Sequence, residues 1–514
     1  MKRVSLLFLA LSLVLALLAP AGLQARQATI RILYVNDFHG FAEPHRPAGA
    51  TELLGGIAYL AGYVDRLRPE KPTLLLAAGD MLQGHNWANL TRGKGVVELM
   101  NAMKFDAMVV GNHEFDFGEE VLKRRLAEAR FPVLAANVEG FPALKPYVVK
   151  TVGRVRVAVI GVVTPDTPIT TNPRNVAGLK FLSPEDTVRR YLKELRGEAE
   201  IFVVLSHQGL PGDRALAEKV PGIDVIVGGH SHTRIDSPVT VGSTIIVQAW
   251  DHAKALGVLD LLIKDGKVVW FNGYLQEVKP APGLADRRVG RIVARYGREV
   301  DAALGGVVGE TLVDLDRDHV CQRETNLGDL VADVLREAAG ADLALINGGS
   351  IRAGIPRGKV RLKDLYDALP FDNYPVAVRL SGSEVREALE HGVSALEENS
   401  GRFPQVSGLT FTYSPAAAPG ARVRDVTVRG RPLNPDGQYV VATNDFVAAG
   451  GDGYTVFAQA LEPPGEGAGP EAFLHGPRLA YSDPGRWLRD LVADYFKAHK
   501  KVTPPPAGRI KEVD

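Results

Sequence analysis

The sequence predicts an α/β protein with two layered domains joined by a helix. Short β-rich runs alternate with helical patterns from about residue 28 to residue 271, which favours sheets covered by helices. A second alternating stretch begins near residue 306, after a proline- and glycine-rich break at 279–283. The length of 514 residues agrees with this division, since one domain usually has about 100 to 200 residues.

The N-terminus has the pattern of a secretory signal peptide over residues 1–25. Lys2 and Arg3 precede an apolar run at 4–18. The small-x-small sequence 19–21 offers one cleavage point, and Ala25 is another candidate end. An uncleaved anchor helix is the alternative, but the run is short for a bilayer span. We therefore expect a secreted, periplasmic or cell-envelope protein without a stable membrane span.

The charge balance gives no reason to expect a polymeric nucleic acid or an anionic membrane as partner. Lys+Arg and Asp+Glu are both 60, so any anionic substrate must be held by a local site. Cys321 is the single cysteine, which excludes an internal disulfide.

The first domain is expected to span residues 28–278. Its predicted strands are 30–35, 73–78, 107–110, 133–136, 155–163, 201–205 and 225–227, and its predicted helices are 56–67, 96–103 and 119–129. The runs 245–248, 256–263 and 268–273 are predicted to be antiparallel additions to the sheet.

A basic helix at 284–304, with a weak apolar stripe, is expected to link this domain to a second one at 305–514. In the second domain we predict helices at 326–339, 362–368 and 383–397, strands at 343–346 and 376–380, and hairpin strands at 409–413 and 423–428. The proline-rich tail at 502–506 is predicted to be a loosely held end.

Five polar clusters follow predicted strands in the first domain. They are Asn36-Asp37-Phe38-His39-Gly40, Ala78-Gly79-Asp80, Asn112-His113, Ser206-His207 and Gly228-Gly229-His230-Ser231-His232. Ligands of open α/β sheets gather outside the carboxyl ends of strands, so all five clusters are expected to meet at one rim. A single such cluster often only satisfies loop backbone, but five of the same composition disfavour that interpretation.

The donor atoms in these clusters indicate a metal site. The candidate ligands are Asp37, His39, Asp80, Asn112, His207, His230 and His232. Carboxylate, amide and imidazole donors without thiolate suit Zn, Mn, Fe, Co or Ni. Seven donors exceed the need of one ion, and Asp80 is able to bridge two. We expect two divalent ions of the Zn, Mn or Co type, about 3.5–4 Å apart, that activate water and clamp phosphoryl oxygens.

The order of these motifs resembles a known family. NDFHG, GDMLQG, GNHEFDFG, SHQG and GGHSH resemble the calcineurin-like metallophosphoesterases. ETNLGD at 324–329, NGGSIR at 347–352, LPF at 369–371 and NDFVAAGGDG at 444–453 resemble the substrate domain of 5′-nucleotidases. The chain therefore resembles secreted bacterial 5′-nucleotidases and UDP-sugar hydrolases. The resemblance implies a four-layer β-sandwich flanked by helices, a linker helix and a C-terminal α/β substrate domain.

The resemblance also implies how the metal ligands are divided. One ion would take Asp37, His39, Asp80 and His232, and the other would take Asp80, Asn112, His207 and His230. Some relatives have Gln or Asn at the position of His232, which bears on metal preference. His113 would be the catalytic histidine and Asp116 its orienting partner, with in-line attack by activated water and no phosphoenzyme.

The second domain is expected to bind the nucleotide. The family pattern places the base between Phe371 and Phe446, although each Phe taken alone fits an ordinary core position. Arg352 suits an anion contact, and Asn347 and Asp452 would contact the base or ribose.

One position departs from the family pattern. Relatives carry an arginine five residues before the Asn of the ETN motif, where this chain has Cys321. Arg323 or Arg317 substitutes for that arginine, or one anion contact is missing.

The implied function is metal-dependent hydrolysis of nucleoside 5′-monophosphates for nucleotide salvage, with ATP, ADP and UDP-sugars as further candidate substrates. A rotation of the domains about 284–304 would carry the substrate to the metals. The main alternative is a 2′,3′-cyclic-nucleotide 2′-phosphodiesterase/3′-nucleotidase, whose members usually have Asn at Asp116. A thiosulfohydrolase would have Trp at His113, and a binding protein on a retired scaffold would not need the intact ligand set.

Overall fold

The computed structural model describes residues 27–46, 52–398, 400–461, 474–504 and 507–514. The predicted α/β class is confirmed: several sheets are layered with helices. The predicted signal peptide at 1–25 lies outside the described residues. Within the described ranges, no helix combines the length and apolar character that a bilayer crossing requires.

The N-terminal half of the chain contains strands β1–β16 and helices α1–α7. The strands are β1 (Gln27–Val35), β2 (Pro44–His45), β3 (Leu54–Gly55), β4 (Thr73–Ala77), β5 (Ala107–Val109), β6 (Val133–Leu134), β7 (Val138–Glu139), β8 (Tyr147–Val152), β9 (Val155–Val163), β10 (Lys180–Phe181), β11 (Ile201–His207), β12 (Val225–Val227), β13 (Val239–Val241), β14 (Thr244–Val247), β15 (Ala255–Lys264) and β16 (Lys267–Glu277). The helices are α1 (Ile57–Leu67), α2 (Asn86–Asn89), α3 (Lys94–Met103), α4 (Glu119–Glu128), α5 (Thr167–Thr170), α6 (Pro184–Glu194) and α7 (Gly209–Lys219).

Two six-stranded sheets face each other and form a sandwich. Their strand orders are β16-β15-β1-β4-β5-β6 and β13-β14-β12-β11-β9-β8. One apolar cluster, with Ile32 and Leu76 from the first sheet and Val159 and Val203 from the second, fills the space between them. Helices α1, α3 and α4 cover the outer face of the first sheet, and α6 and α7 cover that of the second. The order helix, sheet, sheet, helix gives the four layers that the resemblance implied.

A single helix, α8 (Arg287–Leu304), connects the two halves. The Asp286 carboxylate caps it by accepting from the Val289 backbone N–H, which satisfies one of the free donors of the first turn. Its stripe of Val289, Tyr296, Val300 and Leu304 is buried against the first half. The apolar stripe of this helix, although weak in the sequence, therefore forms the surface by which the helix packs against the first half.

The C-terminal half contains β17 (Val307–Thr311), β18 (Leu343–Asn347), β19 (Gly358–Arg361), β20 (Pro375–Ser381), β21 (Pro404–Ser407), β22 (Leu409–Tyr413), β23 (Val423–Val428), β24 (Arg431–Pro432), β25 (Gln438–Asn444), β26 (Leu479–Ser482), β27 (Lys501–Val502) and β28 (Ile510–Glu512). Its helices are α9 (Asn326–Ala338), α10 (Leu362–Ala368), α11 (Gly382–Gly392), α12 (Asp445–Ala448), α13 (Thr455–Gln459) and α14 (Leu488–His499). The main sheet, β21-β18-β25-β20-β26, places the ends of β18 and β25 side by side. The domain limits 28–278, 284–304 and 305–514 stay predictions.

Three expectations from the sequence were wrong. β14 pairs parallel to β12, rather than being only an antiparallel addition. The segment 228–243 between them, which includes β13, brings the chain back to the starting edge of the sheet, so β14 runs in the same direction as β12. Helix α11 ends at Gly392 instead of continuing to 397. The described part of the predicted loose end at 502–506 is anchored at its start, because β27 pairs with β17 and its Val502 lies opposite Thr311. Residues 505 and 506 lie outside the described residues, and β28 beyond them pairs with β22. The Glu324 carboxylate also accepts N–H groups from Gly508, Arg509 and Ile510.

Candidate active site

The five polar clusters lie together at the rim where parallel strands of both sheets end. β1, β4 and β5 are parallel neighbours in the first sheet, and β9, β11 and β12 in the second. Four clusters follow β1, β4, β5 and β12, and Ser206-His207 forms the end of β11. Since the two sheets are stacked face to face, the carboxyl ends of their parallel strands lie near one another, and the clusters are within contact distance.

The backbone of this rim adopts an uncommon conformation. Among the candidate ligands, a positive φ occurs at Asp37 (48°), His39 (47°), Asp80 (53°), His230 (78°) and His232 (51°). A left-handed conformation costs a residue with a side chain about 1–3 kcal/mol and persists only where its surroundings enforce it. Such residues cluster at functional sites, and here they turn donor atoms inward.

Two glycines allow the loops to approach closely. A Cβ on Gly111 would lie 2.2 Å from Asp80 Oδ1, and a Cβ on Gly229 would lie 2.3 Å from the Ala78 carbonyl oxygen. Any side chain at either position would collide with the rim. The glycines of the GNH and GGH motifs are therefore required by space.

The first group of donors comprises Asp37, His39 and His232. Their ligand atoms lie within 4.8 Å of one another. His232 Nε2 is 3.4 Å from Asp37 Oδ1 and 3.3 Å from His39 Nε2. Asp37 is fully buried, and burial raises the pKa of its carboxyl.

The second group comprises Asp80, His207 and His230, again within 4.8 Å. His207 Nε2 lies 3.1 Å from Asp80 Oδ2. Asp80 Oδ2 is also 3.8 Å from His39 Nε2 of the first group. The Asp80 carboxylate thus lies between the two groups.

Asn112, in the loop after β5, has a buried side-chain oxygen that is unsatisfied in the described part of the chain. Its Oδ1 is buried and has no hydrogen-bond partner among the described residues. Its Nδ2 donates to the Thr170 carbonyl at 3.0 Å, which fixes the orientation of the amide. A buried acceptor without a partner is costly, so this oxygen fits a metal ligand.

Hydrogen bonds fix the ring orientation of two histidines. Nδ1 of His39 lies 2.8 Å from the Gln83 carbonyl, and Nδ1 of His207 lies 2.7 Å from the Ala78 carbonyl. A carbonyl only accepts, so Nδ1 carries a proton and Nε2 is the nitrogen that faces the site. This arrangement is typical of metal-binding histidines.

The titration behaviour of the second group reflects its crowding. Burial lowers the pKa of His230 to about 3. Burial also acts to lower the pKa of His207, but the Asp80 carboxylate beside it raises that pKa to about 10. Without cations the imidazolium of His207 balances the Asp80 charge, so bound metal would take over this role and release the proton.

His113 lies beside the donors without joining either group. Its Nδ1 is 2.6 Å from Asp116 Oδ2, and its backbone N–H donates to Asp80 Oδ1 at 3.0 Å. The Thr171 hydroxyl donates to the other Asp116 oxygen at 2.6 Å. Burial acts to lower the pKa of His113, but the Asp116 and Asp80 carboxylates outweigh it and raise the pKa. The structure thus presents an imidazole that Asp116 orients and whose pKa is raised.

Glu114 holds the rim together and was missed in the sequence. Its buried carboxylate accepts backbone N–H groups of Asp80, Met81, Leu82 and Gly111 at 2.6–2.9 Å. Burial raises the pKa of Glu114 to about 7. The four bonds join the loops after β4 and β5, which sets the position of Asp80.

The second half of the chain places an aromatic ring against this rim. The ring centroids of Phe371 and His113 are 5.7 Å apart. The Arg352 guanidinium lies 6.0 Å from the Phe371 ring centre. Phe371 and Arg352 of the second half therefore lie beside His113 of the first.

The other predicted substrate residues gather at the ends of β18 and β25. Asn347 Nδ2 donates to Asp452 Oδ2 at 2.6 Å, and the Phe446 ring lies against Gly451. Asn444 Nδ2 donates to Asn347 Oδ1 at 3.2 Å and fixes that amide.

The two arginines considered as substitutes near Cys321 differ in position. Arg323 is exposed to solvent. Arg317 is half-buried, and its Nη1 donates to the Arg352 carbonyl at 3.2 Å. Arg317 Nε is buried without a hydrogen-bond partner among the described residues. Arg317, rather than Arg323, therefore lies with Arg352 beside Cys321.

Polar contacts join the two halves around the site. Arg174 forms an ion pair with the buried Asp445 at 2.6 Å, and Asn172 donates to the same oxygen at 3.1 Å. On the other side, Asn86 Nδ2 donates to Asp367 Oδ2 at 3.0 Å. The sequence analysis predicted none of these contacts, because residues that pair across domains carry no local pattern.

Asp251 is a further residue that the sequence analysis missed. It follows β14 in a polar run, Gln248 to His252, that has the same strand-end signal as the five clusters. Its Oδ2 lies 2.9 Å from His232 Nδ1. Extending the strand-end rule to β14 would have found it.

Comparison with known proteins identifies relatives of both halves. Residues 30–234 match the family model for calcineurin-like phosphoesterase, and residues 307–459 match that for the 5′-nucleotidase C-terminal domain. The chain is 30% identical to snake venom 5′-nucleotidase of Naja atra, covering 94% of this chain and 98% of that protein.

Two further relatives extend this result. The chain is 34% identical over 86% of its length to the trifunctional nucleotide phosphoesterase protein YfkN of Bacillus subtilis, of which it spans about a third (33%). The crystal structure of a 5′-nucleotidase precursor from Thermus thermophilus superposes with a TM-score of 0.84 at 33% identity, covering 95% of this chain and 99% of that one.

Proposed function

This chain belongs to the 5′-nucleotidase family of metallophosphoesterases, and from that premise we propose that it releases phosphate from nucleoside 5′-monophosphates with two divalent ions. Hydrolysis of nucleotide phosphoesters is the reaction of the family. The 5′-monophosphate is our choice of substrate. The observation that supports it is the 5.7 Å separation of the His113 and Phe371 ring centroids. A nucleoside 5′-phosphate has its base and its phosphorus at opposite ends, so a base on Phe371 would leave the phosphorus near His113.

The donor set fits two metal ions. The unpartnered Asn112 oxygen, the central Asp80 and the two groups of three donors support this assignment. Asp37, His39, Asp80 and His232 would hold one ion. Asp80, Asn112, His207 and His230 would hold the other. When bound, such a pair lowers the pKa of a bound water and neutralises the phosphoryl oxygens.

His113 acts on the phosphoryl group in this proposal. The Asp116 carboxylate accepts a hydrogen bond from Nδ1–H of His113, so Nε2 is the nitrogen that faces the substrate. In its protonated form Nε2–H donates to a phosphoryl oxygen and stabilises the charge that develops during transfer. The same proton is available to the leaving ribose oxygen.

The second domain would orient the nucleotide. Phe371 and Phe446 offer faces for the base, and Asp452, held by Asn347, is a suitable acceptor for ribose hydroxyls. Arg352 and Arg317 would bind phosphate oxygens. We propose that Arg317 takes the place of the arginine that Cys321 replaces, because Arg317 is half-buried with a buried, unpartnered Nε, whereas Arg323 is exposed.

A cyclic-nucleotide phosphodiesterase is the second candidate function. The similarity to a protein named a trifunctional nucleotide phosphoesterase supports this second function, whereas Asp116 in place of Asn favours the 5′-nucleotidase.

We also propose that the enzyme is exported and serves nucleotide salvage, because residues 1–25 have the pattern of a signal peptide. Periplasmic or culture-fluid activity in cells that produce the full chain would test export.

The first test is phosphate release from AMP, ATP, UDP-glucose, 3′-AMP and 2′,3′-cyclic AMP after chelation, and again with Mn, Zn or Co restored. We expect metal-dependent release that is fastest from a 5′-nucleotide. A preference for cyclic AMP or 3′-AMP would assign the enzyme to the phosphodiesterase branch. Two bound metals without release from any substrate would refute catalysis on nucleotides.

The two halves are expected to open and close around the substrate. Helix α8 is packed against the first half, so we place the hinge at Gly305 and Gly306, directly after it. The Arg174–Asp445 pair would hold the closed arrangement.

Arg174→Met is therefore expected to favour the open arrangement. Removing one partner of a buried charge pair costs about 2 kcal/mol or more, which lowers the closed population more than about tenfold relative to the open one. Energy transfer between dyes on the two halves would measure the distance, with Arg189→Met, an exposed arginine, as control. An unchanged distance distribution would count against this role.

A further inference from the structure

The loop after β14 brings a carboxylate to the back of a candidate metal ligand. Asp251 is 8% exposed, and its Oδ2 lies 2.9 Å from His232 Nδ1. The Lys254 ammonium contacts the other carboxylate oxygen. The same ammonium lies 3.7 Å from the centre of the Trp250 ring. Asp251 is thus held from behind by a cation and faces His232 in front.

The loop is also tied to the strand that carries the first metal ligands. Asn36 Oδ1 accepts the Ala249 N–H at 2.7 Å, and Asn36 Nδ2 donates to the Trp250 carbonyl at 2.5 Å. The His252 N–H donates to the Asp37 carbonyl at 2.8 Å. The residues Trp250, His252 and Ala253 have positive φ values of 66°, 54° and 55°. A strained loop with these anchors keeps Asp251 at a fixed distance from His232.

The partner at Nδ1 decides which nitrogen of a neutral imidazole binds a metal. A carboxylate at Nδ1 takes the N–H, so the lone pair of Nε2 is directed towards Asp37 Oδ1 and His39 Nε2. For His39 and His207 a backbone carbonyl has this role. His232 instead has a charged partner, which makes its Nε2 a stronger donor.

We propose that Asp251 is a positioning residue that fixes the Nδ1–H form of His232 and thereby strengthens binding of the ion held by Asp37, His39 and His232. The proposal rests on the metal sites of the proposed function. It also gives a reason why the two sites would bind metal with unequal affinity, since among the described residues only the site of Asp37, His39 and His232 has a histidine whose Nδ1 faces a carboxylate.

A third metal ion is the competing explanation for these residues. Ligand atoms of His232, Asp251 and His252 also lie within 4.8 Å of one another. The Lys254 ammonium already neutralises Asp251, however, and would repel a cation there. The His252 ring is stacked on Phe41, with centroids 3.9 Å apart, and does not need a metal to be held.

The test compares Asp251→Asn with His252→Phe, which keeps the aromatic contact with Phe41. Metal binding is measured by calorimetry on the chelated full-length mature protein, without substrate, and by the visible absorption of bound cobalt. Asp251→Asn is expected to weaken one of two sites about 10- to 100-fold and to change the spectrum of one cobalt ion. His252→Phe is expected to change neither. Loss of a third ion in His252→Phe would overturn the proposal in favour of a third site.

A double-mutant cycle separates positioning from general destabilisation. If Asp251 acts through His232, Asp251→Asn adds no further loss of affinity in a His232→Gln protein. An equal loss in both backgrounds, or wild-type affinity and spectrum in Asp251→Asn, would overturn the proposal.

The unmodified protein offers a direct test, in which a variant serves only to assign one signal. Nitrogen-labelled histidine NMR, with His232→Gln for assignment, is expected to show the proton of His232 on Nδ1, and a proton on Nε2 would refute the proposal. The metal-binding measurements and the NMR experiment use no nucleotide. If the protein did not hydrolyse nucleotides, they would still show whether Asp251 acts on His232.

Discussion

Asp80→Asn is expected to abolish binding of two metal ions together and to lower AMP hydrolysis by at least about 1,000-fold. Asp80 stands between the two donor groups, with Oδ2 at 3.1 Å from His207 Nε2 and 3.8 Å from His39 Nε2. Asparagine has one donor oxygen and no charge, so it cannot bridge two cations. Metal catalysis of phosphoryl transfer provides several kcal/mol, and about 4 kcal/mol corresponds to a factor of 1,000.

Metal content by mass spectrometry and the rate of phosphate release would be measured on the same sample. Asp186→Asn is the matched control, because Asp186 is exposed on α6. Two tightly bound ions in Asp80→Asn would contradict the bridging role. A folded protein with fewer ions and little activity is the expected result.

His113→Ala is expected to lower kcat for AMP about 100- to 10,000-fold while both metal ions stay bound. This range is typical for loss of a positioned acid or of one charge-stabilising donor. His113 belongs to neither donor group, so metal content should not change. The combination of lost turnover and retained metal distinguishes His113 from the ligands.

Asp116→Asn provides the matching test of orientation. The asparagine can still accept from Nδ1 but does not stabilise the imidazolium, so a smaller loss of kcat is expected. In a His113→Ala background the same change should have almost no effect, because the two residues act as a unit. Loss of metal in His113→Ala would instead make His113 a ligand and refute the assignment.

The local elements of the fold were predictable because they depend on periodicity. The strand of β9 and the helix of α10 agree with their predicted limits, since apolar spacing and flanking glycines act over short distances. The pairing direction of β14 was not predictable, because the choice of partner depends on the path of the chain through 228–243. The anchoring of the C-terminus was not predictable, because the carboxylate that accepts the Gly508 N–H belongs to Glu324, 184 positions earlier in the chain.

The same division applies to the site. The sequence by itself determined which donors are present and that they follow strands, because metal chemistry restricts ligands to a few side chains and α/β topology restricts where they lie. Only the tertiary structure decided that Asp80 lies between the two groups and that Glu114 joins the loops after β4 and β5. It also decided that Asp251 contacts His232 and that Arg174 pairs with Asp445. These contacts depend on distances between residues far apart in the chain, and such distances are fixed by packing of sheets and domains rather than by any local pattern.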